Sequence, residues 1–183
     1  MIKKPIIVNL LGGSGIGKST ISAEVFAKLK WEFVECEFVT EYAKIKVWEE
    51  SFKVLEDQIY VFGKQLHNMS IVRDKVDVII TDCPLLLSLT YGRHLPKCFK
   101  DLVLYEHNKL GHNLNILLER SEPFNPKGRV QKNIVEAIEL DEHIKQVLID
   151  NHLNYIKLMG SHETSNQILE IVMDHLNNQK TKV

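Results

Sequence analysis

Gly12-Gly-Ser-Gly-Ile-Gly-Lys-Ser-Thr20 follows directly on the apolar run Ile6-Ile-Val-Asn-Leu-Leu11. Its spacing is Gly12-x4-Gly17-Lys18-Ser19, the pattern of a phosphate-binding P-loop between a strand and a helix. Glycines at Gly12, Gly13, Gly15 and Gly17 give the backbone freedom to approach phosphate oxygens closely. Successive N–H groups and the N-terminus of the following helix then form an anion site of partial positive charge. Lys18 is suited to bridge the β- and γ-phosphates, and the Ser19 hydroxyl is a hard oxygen donor for Mg²⁺. The segment expected to cradle ATP therefore comprises Gly13, Ser14, Gly15, Ile16, Gly17, Lys18, Ser19 and Thr20.

The surroundings of the loop agree with that reading. Ile21, Val25 and Leu29 continue it as an amphipathic helix. Further short apolar runs, at Phe33–Thr40, Val76–Thr81, Asn115–Leu118 and Tyr155–Met159, are candidate strands. The runs at Ile6–Leu11 and Val76–Thr81 are almost continuously apolar, as strands covered on both faces must be. Between the runs lie helical stripes. They are Leu55/Ile59/Phe62/Leu66/Met69, Ala137/Leu140/Ile144/Val147/Leu148 and Ile168/Ile171/Val172/Leu176. Strands alternating with helices predict an α/β fold, a three-layer P-loop NTPase on a parallel sheet with right-handed crossovers. In such sheets ligands bind beyond the carboxyl ends of the strands, which directs attention to the loops there.

Composition sets the outer limits. The chain has 183 residues, 44% apolar and 26% charged, enough for one domain with its own core. Residues 1–176 are expected to form that domain and 177–183 a polar tail. A net charge of −1 makes DNA the less favoured partner, and no apolar run is long enough to span a bilayer. Cys36, Cys83 and Cys98 form no CxxC pair and read as free thiols of a cytoplasmic protein.

Asp82 terminates the run Val78-Ile-Ile-Thr81 and stands where a carboxylate beside a P-loop holds Mg²⁺ or accepts a proton from the attacking hydroxyl. Glu41 follows the second strand and is expected on the acceptor side of the cleft. Gln58 and Gln65, seven apart, share a helix face; their amides are suited either to a base edge and ribose or to solvent. Arg120-Ser-Glu-Pro-Phe-Asn-Pro-Lys-Gly-Arg129 breaks all periodicity and ends near Asn133, where a helix begins. Arg120, Lys127 and Arg129 make it a candidate lid over the transferring phosphate. Arg93 is a further cation near the exit of the third strand, and Gly160-Ser161 is either a helix-start turn or a backbone approach to adenine.

The combination of Gly12–Thr20, Thr40-Glu-Tyr-Ala-Lys44, Leu55-Glu-Asp-Gln58, Thr81-Asp-Cys-Pro-Leu85 and Pro123-Phe-Asn-Pro-Lys-Gly-Arg129 resembles the NadR-type P-loop kinase-like AAA domain family. That group includes nicotinamide riboside kinase domains and many bacteriophage proteins, and the resemblance runs from Ile6 to about Leu176. It implies a five-stranded sheet of order 2-3-1-4-5 in the nucleoside and nucleotide kinase style, with a short lid. It also implies ATP and Mg²⁺, Asp82 near the reacting hydroxyl and Arg129 in the lid. The nucleotidyltransferase half of fused NAD-salvage proteins is not expected in this chain.

The leading expectation is an ATP-dependent kinase acting on a small nucleoside or (deoxy)nucleotide, with catalytic Lys18, Asp82, Arg120 and Arg129. Ser19 and Asp82 would hold the metal, and Glu41, Gln58 and Arg93 would contact the acceptor. The alternatives are a kinase of hydroxymethylated bases in DNA and a P-loop ATPase or switch with no small acceptor. A guanine-reading Asn-Lys-x-Asp motif is absent from the sequence. A homodimer is left open, and the expected location is the cytoplasm, the host's if the chain is phage-encoded.

Overall fold

In the computed structural model, residues 4–121 and 133–180 are described. Five strands and eight helices follow in the order β1 (Ile6–Leu11), α1 (Lys18–Trp31), β2 (Cys36–Val39), α2 (Tyr42–Trp48), α3 (Phe52–Glu56), α4 (Gln58–Ser70), β3 (Val78–Thr81), α5 (Leu87–Tyr91), α6 (Lys97–Leu110), β4 (His112–Glu119), α7 (Ile134–Asp150), β5 (Ile156–Met159) and α8 (Thr164–Lys180). The strands form one sheet of order β2-β3-β1-β4-β5. All four pairings are parallel, with Val8 between Ile80 and Leu114 at the centre. The expected fold and strand order are therefore both present.

Alternation along each strand feeds two cores. Ile7, Leu11, Ile79 and Leu117 face one side, against Phe62 and Met69 of α4, Phe99 and Val103 of α6, and Leu140, Ile144 and Leu148 of α7. Ile6, Val8, Leu10, Ile80 and Ile116 face the other, against Ile21, Val25 and Leu29 of α1 and Ile168, Val172 and Leu176 of α8. Truncating a side chain such as Ile79 leaves a void covered on every side, at a cost of about 2–5 kcal/mol. Among the described residues no helix is long and apolar enough to cross a membrane. The three cysteines are free.

Several boundaries differ from those expected, for local reasons. Helix α1 runs on to Trp31, and Phe33 then turns the chain with φ 58, so β2 starts only at Cys36. Strand β4 extends to His112–Glu119 because β1 pairs with His112–Leu117 and β5 with Ile116–Glu119. The stripe beginning at Leu55 is broken: Asp57 caps α4 by accepting from Tyr60 N at 3.0 Å, leaving Leu55 on the separate helix α3. The buried face of α4 is thus Val61, Phe62, Gln65 and Met69, whereas Ile59 is 56% exposed. Helix α8 takes in Asn177–Lys180, residues read from sequence as tail.

One buried base gives this fold a pH signature. His107 on α6 is buried, and burial lowers its pKa from 6.5 to about 4. The unfolded chain takes up a proton on this imidazole below about pH 6.5, while the folded chain stays neutral until about pH 4. Stability contributed by the neutral imidazole is complete above that window and is lost as pH falls through it. The loss is about 2.5 kcal/mol by pH 4.5. In urea unfolding at pH 7 and pH 4.5, His107→Leu should show a pH-dependent loss smaller than wild type by that amount.

Candidate nucleotide and acceptor site

The phosphate loop leaves β1 at Leu11 and enters α1 at Lys18. Gly17, with φ 96, is the N-cap of α1 and makes no side-chain capping bond. A left-handed residue here turns the chain so that the first N–H groups of α1 point into the loop, and only glycine takes that angle without steric cost. No acidic residue lies in the first turn of α1, so the field at this helix end stays positive. Lys18 Nζ donates to the carbonyls of Gly12 at 2.7 Å and Gly13 at 2.9 Å, which bends the ammonium back over the loop. Burial lowers its pKa, opposed by the nearby carboxylates of Glu41, Asp82 and Asp141.

Asp82 is reached one residue beyond β3. The Thr81 hydroxyl accepts the N–H of Cys83 at 3.1 Å and so shapes the turn that presents it. Ser19 Oγ donates to Asp82 Oδ2 at 2.5 Å, bringing the two predicted metal ligands together. Asp82 is 2% exposed, yet its Oδ1 has no hydrogen-bond partner among the described residues. A buried carboxylate oxygen left without a donor, beside a hydroxyl, fits a hard cation that takes oxygen ligands and keeps other positions for phosphate and water.

A cavity of about 290 Å³ opens from the phosphate loop toward α2, α3, α4 and α5. The loop contributes Ser14, Gly15, Gly17, Lys18, Ser19 and Thr20 to its lining; the rest of the wall includes Glu41, Lys44, Val47, Leu55, Gln58, Val61, Cys83, Leu87, Ser88 and Tyr91. Glu41 is the N-cap of α2, but its side chain makes no capping bond to that helix. Asp82 is not part of this lining. Burial, reinforced by Glu41 and Asp82, raises the Cys83 thiol well above its ordinary value, which keeps it protonated and poorly nucleophilic.

Gln65 is corrected by the structure. It is buried, not solvated: its Oε1 accepts from Tyr42 N at 3.2 Å, and its Nε2 donates to Thr40 O at 3.4 Å. That amide joins α4 to the turn carrying Glu41. Gln58, seven residues earlier, lines the cavity and donates to the carbonyl of Leu55. The shared helix face is real, but it runs from the cavity into the interior.

Other predicted residues lie elsewhere. Arg93 is outside the cavity lining, exposed and 3.5 Å from His143. Arg120 follows the last residue of β4 but pairs with Asp141 on α7, Nη2 to Oδ2 at 2.8 Å. Gly160 lies against the loop itself, where a Cβ would stand 2.7 Å from the carbonyl of Ile16. Thr164 Oγ1 caps the Gly160-Ser161 turn by accepting from Ser161 N at 3.0 Å. Lys127 and Arg129, with most of the expected lid, lie outside the described residues. Asn133 does start the next helix, accepting from Glu136 N at 3.0 Å.

Asp141 is the site residue that the sequence reading missed. Its signal was an acid directly beside Leu140 and one turn after Ala137 on the apolar stripe of α7. That position borders the buried face and therefore points toward the loop side of the sheet.

Fold and loop together define a P-loop nucleotide-binding domain of α/β architecture. The profile of the AAA domain family matches residues 7–164, and the chain belongs to that family. A solved structure of NadR protein in complex with NR superposes with a TM-score of 0.58 at 14% identity, covering 84% of this chain and 43% of that one. NadR protein in complex with NAD and AMP-PNP gives 0.62 at 14% identity, covering 91% and 49%. The chain thus spans less than half the length of either neighbour, and the likeness is one of fold. No curated protein sequence matches the chain.

Proposed function

We propose that this chain is a kinase that binds ATP at Gly13–Thr20 and passes the γ-phosphoryl group to a small nucleoside- or nucleotide-type acceptor. The observation that carries this reading is one cavity whose lining joins Lys18 and Ser19 to Val47, Leu55, Gln58, Val61 and Tyr91. A hydrolase or switch needs room for water at the γ-phosphate; a cavity that adds apolar side chains, an amide and a carboxylate to the phosphate loop suits a ring-bearing acceptor. The NadR structures holding NR, NAD and AMP-PNP support the same direction.

In this reading the acceptor oxygen bonds to the γ-phosphorus as the bond to the β,γ-bridging oxygen breaks, and ADP leaves. Positioning and charge supply nearly all the acceleration. Lys18 swings from the carbonyls of Gly12 and Gly13 to the β- and γ-phosphates. Ser19 and Asp82 would hold Mg²⁺, which when bound neutralises developing phosphate charge. Glu41, which lines the cavity as Asp82 does not, accepts the hydrogen of the acceptor hydroxyl and takes its proton.

ADP formation, followed with nucleosides, nucleoside monophosphates and hydroxymethylated DNA in turn, tests the reading. One small acceptor should raise turnover well above basal hydrolysis, and Glu41→Gln should suppress that rise about 100-fold or more. Turnover indifferent to every acceptor would replace the kinase by an ATPase. A rise with DNA alone would move the acceptor to polymer.

A further inference from the structure

Asp141 stands on α7, the first helix after the lid segment, yet it reaches two other parts of the molecule. Its Oδ1 accepts the backbone N–H of Gly13, the second residue of the phosphate loop. Its Oδ2 accepts from Arg120 Nε at 3.0 Å and Nη2 at 2.8 Å, just past the end of β4. Both side chains are largely withdrawn from solvent, Arg120 to 12% and Asp141 to 20% exposure. Gly13 is pressed against the same turn of α7: a Cβ there would meet Asp141 Oδ1 at 2.5 Å and the carbonyl of Ala137 at 2.9 Å.

A carboxylate touching a loop built for polyphosphate is electrostatically unfavourable unless a cation cancels it. Arg120 does so at short range. Two of the guanidinium's three nitrogens are thereby committed, and the third, Nη1, is buried with no partner among the described residues. An arginine held in this way is poorly placed to follow a moving phosphoryl group. It is well placed to keep a carboxylate in one rotamer.

The loop has its own need for restraint. A segment with four glycines in six residues loses much conformational entropy on ordering, and that cost falls on nucleotide binding unless the fold meets it beforehand. Anchoring the Gly13 N–H fixes the loop at the end opposite to α1. The anchor comes from α7, so the loop and that helix share one carboxylate.

We propose that Asp141 is a positioning residue: with Arg120 as counter-ion, it holds the phosphate loop in its nucleotide-binding shape and ties it to α7. The proposal rests on the reading of Gly12–Thr20 as a triphosphate site. It moves Arg120 from contact with the phosphoryl group to support of the loop.

Calorimetric titration with Mg²⁺·AMP-PNP, basal ATP hydrolysis and melting curves on Asp141→Ala, Asp141→Asn, Arg120→Ala and the Arg120→Ala/Asp141→Ala double variant test it, with Lys18→Ala as reference. Asp141→Ala should weaken AMP-PNP and raise KM for ATP about tenfold, with kcat within about threefold of wild type. Asp141→Asn keeps the shape and an oxygen acceptor, so its loss should be smaller, about threefold, and in the same direction. The double variant should bind no worse than Asp141→Ala, because the two side chains act as one unit. If Asp141→Ala melts below the assay temperature, Asp141→Asn and Arg120→Ala decide the matter. Unchanged AMP-PNP affinity in folded Asp141→Asn and Arg120→Ala would overturn the proposal while leaving the loop's reading intact. So would a kcat loss of orders of magnitude in Arg120→Ala with unchanged ATP KM, since Arg120 would then act on the phosphoryl group itself. Failure of wild type to bind AMP-PNP, or equal binding by Lys18→Ala, would remove the loop's reading and this proposal together.

Discussion

Lys18→Ala should reduce acceptor-dependent ATP turnover on the order of 10²–10³-fold while leaving the fold intact. Among the described residues lining the cavity the lysine charges are Lys18, in the loop, and Lys44, on α2; the other loop residues offer N–H dipoles and hydroxyls. A fixed positive charge aimed at developing phosphate charge acts mainly in the transition state, so kcat should fall more than ATP affinity. Stability should hardly change. The carboxylates of Glu41, Asp82 and Asp141 oppose the burial that lowers the Lys18 pKa, and loss of its bonds to the Gly12 and Gly13 carbonyls frees groups next to an open cavity rather than inside a core. Steady-state kinetics beside a melting curve separates the two effects. A comparable fall in melting temperature and activity would mean that the lysine is structural.

Asp82→Asn is expected to be nearly as damaging by a different route. Asparagine keeps an oxygen for the Ser19 hydroxyl, now 2.5 Å from Oδ2, but it removes the negative charge and the open Oδ1 acceptor. Nucleotide should still bind, since the loop N–H groups and Lys18 remain. Apparent Mg²⁺ affinity should fall about 10–100-fold, with turnover at ordinary Mg²⁺ falling by at least as much. Titrating turnover with Mg²⁺ checks this, because excess metal should restore part of the activity. Wild-type turnover and Mg²⁺ dependence in the variant would remove Asp82 from the mechanism.

The architecture was legible because its signals are local. The glycine loop, the apolar strands and the stripes on α7 and α8 each state their own structure, and parallel pairing follows from alternation of strand and helix. Ser19 and Asp82 could be paired from 63 residues apart because strand-end geometry places any acid after β3 beside the loop after β1. Less visible were features that depend on which way a turn sends the chain. The Asp57 cap splits one apparent stripe into α3 and α4, and this rotates Gln65 inward and Ile59 outward. Arg120 looked like a free lid cation because nothing in its own segment announces Asp141, which lies 21 residues on. Asp141 was not singled out, because a carboxylate's partner across a fold leaves no mark on spacing.

The central claim is transfer rather than hydrolysis, and the fate of the γ-phosphorus tests it most directly. With γ-labelled ATP, Mg²⁺ and a panel of nucleosides and nucleoside monophosphates, the label should appear on one small acceptor, in a product that Lys18→Ala fails to make. Label recovered solely as inorganic phosphate, whatever acceptor is supplied, would contradict the claim.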